Sequence, residues 1–189
     1  MRSLIERDDQ LSRCVETEDD AIDRLEIAVD ALLVAYMDEH GLGAGDSRLM
    51  LAASKISSNL ERIADQATNI ARCARKLNAE PPLRAVEEMP RMATLTRHLL
   101  SEAITAFSER RYELALSIIP QDAVIDELNR SIAKKLTGLM IKSPANITRA
   151  VQLMHIAKAL ERAADHTQNI AEEVFFLCQG RDIRHERHP

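Results

Sequence analysis

The chain has 189 residues and a formal net charge of -5, which is enough length for one sizeable domain or two small ones. The negative charge argues against broad contact with nucleic acid or anionic lipid, because both select for positive surfaces. Hydrophobic residues make up 46% of the chain, yet only five are Phe or Tyr and none is Trp. This composition is typical of a helical bundle with a core of Leu, Ile, Ala, Val and Met.

The first half of the chain contains two long helical patterns. Three of its glycines lie between positions 41 and 45 and predict a loop between the two helices. Asp46 or Ser47 is predicted to cap the second helix, which should run to about Leu77. The Pro81-Pro82 pair ends the helical pattern.

The second half begins with a helical pattern from about Leu83 to Ser108, followed by a predicted bend at residues 110–112. The next helix should be kinked by Pro120 and continue through Met140.

The last helix is predicted to open with Ser143 as N-cap and Pro144 at the first helical position. Gly180 should end it. We expect the basic segment 181–189 to be a mobile tail.

The chain contains an internal repeat. Segment 61–71 matches segment 161–171 at seven of eleven positions, within helical patterns whose apolar residues follow 3-4-3-4 spacing. The preceding helices repeat as well, with an offset of 103 residues. We therefore predict an all-α fold of two tandem repeats, 1–79 and 80–180, each made of a three-helix bundle.

Each repeat carries two helical motifs in which acidic residues lie four positions apart. The motifs are Asp19/Asp23 with Glu61/Asp65 in the first repeat, and Asp122/Asp126 with Glu161/Asp165 in the second. Residues at this spacing share one face of a helix, and the heptad positions place the Glu61 pair on the outer side of its bundle.

If neighbouring helices bring these motifs together, four like charges share one patch and a cation is expected there. Arg62 and Arg162 are candidates, and so is a bound metal. Oxygen ligands favour hard cations such as Mg²⁺, Ca²⁺, Mn²⁺ or Fe³⁺, without excluding zinc. The alternative is that these pairs are ordinary solvated helix surface.

The doubled sequence Glu-Arg-x-Ala-Asp-x-x-x-Asn-Ile at positions 61–70 and 161–170, together with 179–185, resembles the PhoU family of phosphate transport accessory proteins. The resemblance implies two similar three-helix bundles, dimerisation and multinuclear metal sites on the acidic motifs. Iron, manganese, magnesium or zinc would be the metal. The implied ligands are Asp19, Asp23, Glu61 and Asp65 in one site and Asp122, Asp126, Glu161 and Asp165 in the other.

The resemblance also implies a function. Family members repress phosphate uptake and the phosphate-starvation response by contacting the ATP-binding subunit of the phosphate transporter and a sensor histidine kinase. We accordingly expect a regulator rather than an enzyme, with no nucleic-acid partner.

The expected location is the cytoplasm, without membrane insertion. No apolar run approaches the ~20 residues that span a bilayer, and the first residues lack the apolar stretch of a signal peptide. Cys14, Cys73 and Cys178 are odd in number and lack CxxC spacing, which is typical of reduced cytosolic thiols.

One departure from the family pattern concerns the first bundle. Family members begin with a complete long helix before the first Asp-x-x-x-Asp motif, and only about ten residues are available for it here. We expect a truncated first helix. Either upstream residues are absent from this chain, or a partner covers the apolar stripe that the helix would cover.

Three other functions fit parts of the sequence. An accessory subunit of another ion transporter, or a regulator of metal homeostasis, would carry the same motifs. A ferritin-like di-metal oxidase would need a Glu-x-x-His ligand motif, which is missing from the acidic helices. A carboxylate-metal phosphohydrolase would need a nucleophile and base, and the motifs contain none.

Overall fold

The computed structural model of the protein describes residues 1–41, 43–83 and 87–184. Within these ranges there is no strand, and no helix is long and apolar enough to cross a bilayer. The helices are α1 (Arg2–Ile5), α2 (Asp9–His40), α3 (Ala44–Asn78), α4 (Glu88–Ser108), α5 (Tyr112–Ile118), α6 (Asp122–Lys142) and α7 (Ile147–Gln179).

The ends of α2 and α3 have identifiable local causes. The Asp8 side chain caps α2 by accepting the backbone N–H groups of Gln10 and Leu11 at 2.8 and 3.0 Å. Gly41, at φ +67°, ends α2 in the left-handed region that favours glycine.

The start of α3 differs from the prediction. The helix begins at Ala44 with Gly43 as N-cap, so the prediction that Asp46 or Ser47 caps it is wrong. Both residues lie inside the first turn, where the Ser47 hydroxyl donates to the Gly43 carbonyl at 2.9 Å. The hydroxyl therefore points back along the helix and does not cap its N–H groups.

The predicted breaks in the second half are present. Arg110, at φ +55°, reverses the chain between α4 and α5. Pro120 lies in a single 3₁₀ turn that joins α5 to α6, so the helical path is interrupted where the kink was predicted. Leu83, the predicted start of α4, is not helical, and residues 84–86 lie outside the described ranges.

The last helix starts later than predicted and ends as predicted. Ser143 lies at the N-cap position with Pro144 first in the helical segment, as predicted, but that segment opens with a 3₁₀ turn and the Ser143 side chain makes no capping hydrogen bond. Gly180 ends α7 in the left-handed conformation, at φ +68°.

The second repeat is a complete three-helix bundle of α4, α6 and α7, with α5 packed alongside. Met92, Ile125, Ile132, Leu136 and Ile156 lie in its core with no exposed surface. The first repeat is formed by α2 and α3 with the four-residue α1. The predicted pair of bundles, with a truncated first helix in the first one, is therefore confirmed.

The two repeats meet through α3 and α7, which run antiparallel. Lys55 of α3 pairs with Glu173 of α7 at 2.9 Å, and Asn59 of α3 lies 3.0 Å from His166. Residues later in α3 therefore contact residues earlier in α7, as in any antiparallel pair.

The first residues of the predicted tail pack against the bundles. Ile183 is only 3% exposed, and the Arg184 guanidinium contacts the carboxylates of Asp182 and Glu173, the latter at 3.6 Å. Residues 185–189 of that predicted tail lie outside the described ranges.

The difference in burial between the two repeats gives a stability prediction. Leu136 of α6 is fully buried, whereas Leu32 of α2 is 69% exposed. We expect Leu136→Ala to lower the free energy of unfolding by about 3 kcal/mol, because it leaves a cavity, and Leu32→Ala to change it by less than about 0.5 kcal/mol. Urea denaturation measures both, and equal losses would contradict this account of the core.

Candidate functional site

The acidic side chains of the first repeat lie between α2 and α3. The pKa of Glu61 is raised, first by burial and then by the negative charge of Asp65, while Arg62 opposes the shift and Glu26 and Asp23 add to it. Two of the other predicted residues, Asp65 and Asp23, thus lie close enough for their charges to affect Glu61. The fourth, Asp19, is not among the charges that act most strongly on Glu61.

A cation from the same helix already contacts this first group. The Arg62 guanidinium lies 3.4 Å from the Glu61 carboxylate and 3.7 Å from that of Asp65. The arginine therefore offsets the charge of the pair on α3.

All four predicted carboxylates of the second repeat lie close enough to interact. The pKa of Asp122 is raised to about 6, first by burial and then by the negative charges of Asp165, Asp126, Glu161 and Glu172. The pKa of Asp165 is raised as well, by burial and then by Glu161. The α6 and α7 motifs therefore form one electrostatic unit, which we call the second acidic cluster: Asp122, Asp126, Glu161, Asp165 and Glu172.

This cluster is less exposed than an outward-facing pair would be. Glu161 is 9% exposed and Glu172 is 8% exposed, so the outer position predicted for Glu61 does not hold for its equivalent in the second repeat. The reason is that α7 packs against α3, α4, α5 and α6, which together cover part of its polar edge.

The second acidic cluster has few compensating charges. Lys158 donates to the Glu161 carboxylate at 2.6 Å, and Arg162 acts on Asp165 only through its charge. The Asp122 Oδ1 atom is buried without a hydrogen-bond partner. Arg184 also acts on Glu172 through its charge, so five carboxylates share three nearby basic side chains, which is an environment that favours an added cation.

Two carboxylates that interact with the motifs were missed by the sequence analysis. Glu26 lies three residues after Asp23, and Glu172 lies seven residues after Asp165, which places each on the same helix face as its motif. Their equivalents in the other repeat are Asn129 and Arg72, so the comparison of repeats did not select them. Helical spacing alone would have found both.

The chemistry of the donor set fits a hard cation better in the second repeat than in the first. In the second cluster the buried Asp122 Oδ1 has neither a hydrogen bond nor an ion pair with a described residue, whereas Arg62 contacts both acids on α3, including the buried Glu61 Oε2. In the side-chain arrangement of residues 1–41, 43–83 and 87–184, no three His, Cys, Asp or Glu side chains converge on a common metal position. The acids interact there through charge at longer range.

His166 and Asn169 contact the other repeat. Asn59 of α3 provides the shared acceptor, its Oδ1 lying 3.0 Å from His166 Nδ1 and 3.3 Å from Asn169 Nδ2. Burial and the positive charges of Arg62 and Arg162 lower the pKa of His166, which favours a neutral ring. These side chains join the two repeats.

Comparison with known proteins places this architecture in a family. The model of the PhoU domain matches the chain twice, over residues 1–74 and 89–174. The chain belongs to the PhoU family. The two matches coincide with the internal duplication, and the PhoU resemblance expected from the doubled motif is confirmed.

Sequence matches to named relatives extend over nearly the whole chain. The phosphate-specific transport system accessory protein PhoU homologue of Pseudomonas putida is 34% identical over 97% of this chain and 72% of its own length. The homologue of the same name from Pseudomonas aeruginosa is 33% identical over 98% of this chain and 77% of its own length.

Solved PhoU structures share the fold. The crystal structure of PhoU from Pseudomonas aeruginosa superposes with a TM-score of 0.92 at 31% identity, covering 95% of this chain and 87% of that one. The phosphate transport system regulatory protein PhoU from Streptococcus pneumoniae gives 0.89 at 26% identity, covering 95% and 84%.

The raised pKa of Asp122 predicts a pH-dependent stability change. The folded state holds this proton up to about pH 6 and the unfolded state only to its ordinary pKa of 3.8, so the stabilisation is present at low pH and lost as pH rises through 6. A shift of this size is worth about 3 kcal/mol for a fully buried group, and partial exposure reduces it to about 1 kcal/mol.

We therefore expect Asp122→Asn to raise the free energy of unfolding, relative to the native protein, by about 1 kcal/mol more at pH 7.5 than at pH 4.5. Urea titrations in the presence of EDTA measure this difference. Asp20→Asn, at an exposed position of α2, is the control and should show no such pH dependence. The assignment is wrong if the two variants have parallel pH profiles.

Proposed function

We propose that this PhoU-family chain is a negative regulator of phosphate uptake and of phosphate-starvation signalling. It acts by binding the ATP-binding subunit of a phosphate transporter, a sensor histidine kinase, or both. The observation that carries the proposal is the pair of PhoU-domain matches along the chain. Relatives at 33–34% identity are named as accessory proteins of the phosphate-specific transport system, which supports binding to other proteins over catalysis.

The distribution of charge supports recognition of other proteins. The carboxylates gathered between α6 and α7 give the second repeat a negative region, and complementary charge orients and selects protein partners. We place the regulator in the cytoplasm as a homodimer. There it would meet the nucleotide-binding side of a transporter and the intracellular part of a kinase.

The proposal includes metal ions on the acidic motifs. In the second repeat Asp122, Asp126, Glu161 and Asp165 would hold the metal, and in the first Asp19, Asp23, Glu61 and Asp65. A hard cation such as iron, manganese or magnesium, or zinc, would supply positive charge to the carboxylates. The support is strongest in the second repeat, where the unpaired Asp122 Oδ1 lies among four other acids.

Metal uptake should depend on the second acidic cluster more than on general acidity. We expect Asp165→Asn to weaken binding of Mn²⁺ or Fe³⁺ at least tenfold, because it replaces one carboxylate oxygen with an amide nitrogen and removes one charge. Asp20→Asn removes an equal charge from an exposed site on α2 and should change it less than twofold. Elemental analysis after loading and desalting measures the retained metal, and equal retention by both variants would assign uptake to net charge.

The regulatory role is tested by deleting the gene. We expect the phosphate-starvation genes to stay expressed in phosphate-rich medium, and the purified protein to bind the transporter's ATP-binding subunit or the cytoplasmic part of the kinase. A gene carrying the four amide substitutions at Asp122, Asp126, Glu161 and Asp165 should restore repression only in part.

The matched control carries four glutamine substitutions at exposed acids, Glu80, Glu109, Glu113 and Glu127, and should restore repression fully. If the deletion leaves the phosphate response unchanged and neither purified partner binds, phosphate signalling is the wrong assignment. The role as accessory subunit of another transporter would then replace it.

A further inference from the structure

A lysine side chain lies against one of the buried acids of the second acidic cluster. Lys158 is one turn before Glu161 on α7, and its ammonium donates to Glu161 Oε1 at 2.6 Å and also contacts Oε2. The Lys158 side chain is 51% exposed, whereas Glu161 is buried. The ammonium therefore reaches the carboxylate from the solvent side and contacts both of its oxygens.

The same ammonium acts on a second acid of the cluster. Burial and the charge of Glu161 raise the pKa of Asp165, and the positive charge of Lys158 is the largest influence in the opposite direction. Glu161 and Asp165 are two of the four metal ligands proposed for this repeat. A metal ion on these ligands would need the oxygens that the ammonium contacts, and two cations at one place repel each other.

The internal duplication shows that this lysine is separate from the acidic motif. The equivalent of Lys158 in the first repeat is Ser58, which is uncharged. There Arg62 contacts both acids of α3, whereas its equivalent, Arg162, acts on Asp165 only through its charge. The two copies of the motif therefore hold different basic side chains, which come from different positions of the helix.

A groove beside the cluster can receive the lysine side chain. The groove, of about 350 Å³, lies between α6 and α7, and Lys158 forms part of its wall. Asn129 and His155 also line it, and the amide oxygen of an asparagine can accept a hydrogen bond from an ammonium. Because lysine has a flexible four-carbon stem, the ammonium can leave Glu161 for this groove without movement of α7.

We propose that Lys158 is an internal cation that a metal ion displaces from the second acidic cluster, and that this lysine thereby sets the metal affinity of the cluster. The inference rests on the proposed metal binding and identifies the residue that controls it. Binding is then an exchange in which the metal gains the oxygens of Glu161 and the ammonium moves into the groove. Occupancy depends on metal concentration, because the competing charge is always present at the site.

The experiment measures binding of Mn²⁺ to the full chain with and without this charge. Every protein carries Asp19→Asn and Asp23→Asn, so that the acids of the first repeat do not provide a complete second site. The electron paramagnetic resonance signal of free Mn²⁺ gives the Kd at 0.15 M salt. We expect Lys158→Gln to bind Mn²⁺ at least fivefold more tightly than the parent protein, because it removes the competing charge.

Two variants serve as controls. Lys158→Arg keeps a positive charge at the same position and should bind Mn²⁺ within twofold of the parent. Lys76→Gln removes an equal charge from an exposed position of α3 in the other repeat, where salt screens it from the cluster, and should also stay within twofold. Damage to the site would weaken binding, so a gain in affinity distinguishes competition from a structural role.

The possible results separate this inference from metal binding itself. If Lys158→Gln binds Mn²⁺ no more tightly than the parent, the lysine is not a competitor, although the proposed metal binding stands. Tighter binding by Lys158→Arg as well would assign the effect to side-chain shape and overturn the competition of charges. If neither the parent nor Lys158→Gln binds Mn²⁺, metal binding by the second cluster is wrong together with this inference. Binding by Lys158→Gln alone would support both.

Discussion

The antiparallel pairing of α3 with α7 is the contact on which the rest of the molecule depends. It joins the two repeats, and each of these helices also carries one acidic motif on a different face. Glu61 therefore faces α2, and Glu161 faces α6, because the shared face between α3 and α7 is occupied. The positions of both acidic groups therefore follow from the pairing of α3 with α7. The ion pair between Lys55 and Glu173 is a polar contact of that pairing.

The duplication preserved the acidic motifs but changed what surrounds them. In the first repeat Arg62 contacts both acids of its helix, and the surrounding bundle is open. In the second, four helices pack against α7, Glu161 is buried, and Asp122 keeps an unpaired oxygen. Equivalent residues thus differ in burial and in neighbouring charge, the two factors that control the pKa of a carboxyl group.

The sequence was sufficient for the features that follow from periodicity. The 3-4 apolar spacing and the repeat of 61–71 at 161–171 predicted the helices, the duplication and the truncated first bundle. The sequence was insufficient for features, such as burial, that tertiary contacts determine. Glu161 is buried because several helices cover the edge of α7. A heptad assignment treats one helix with one partner and cannot show this effect.

The buried carboxylate of Glu173 has a consequence for the order in which the protein folds. Its partners are Lys55, which lies 118 residues earlier, and Arg184, which follows it. A ribosome adds about 5–20 residues per second, so α3 emerges on the order of 10 s before the helix that covers it. During that interval the face of α3 that packs on α7 has no native cover, so the nascent first repeat exposes apolar surface until α7 is made.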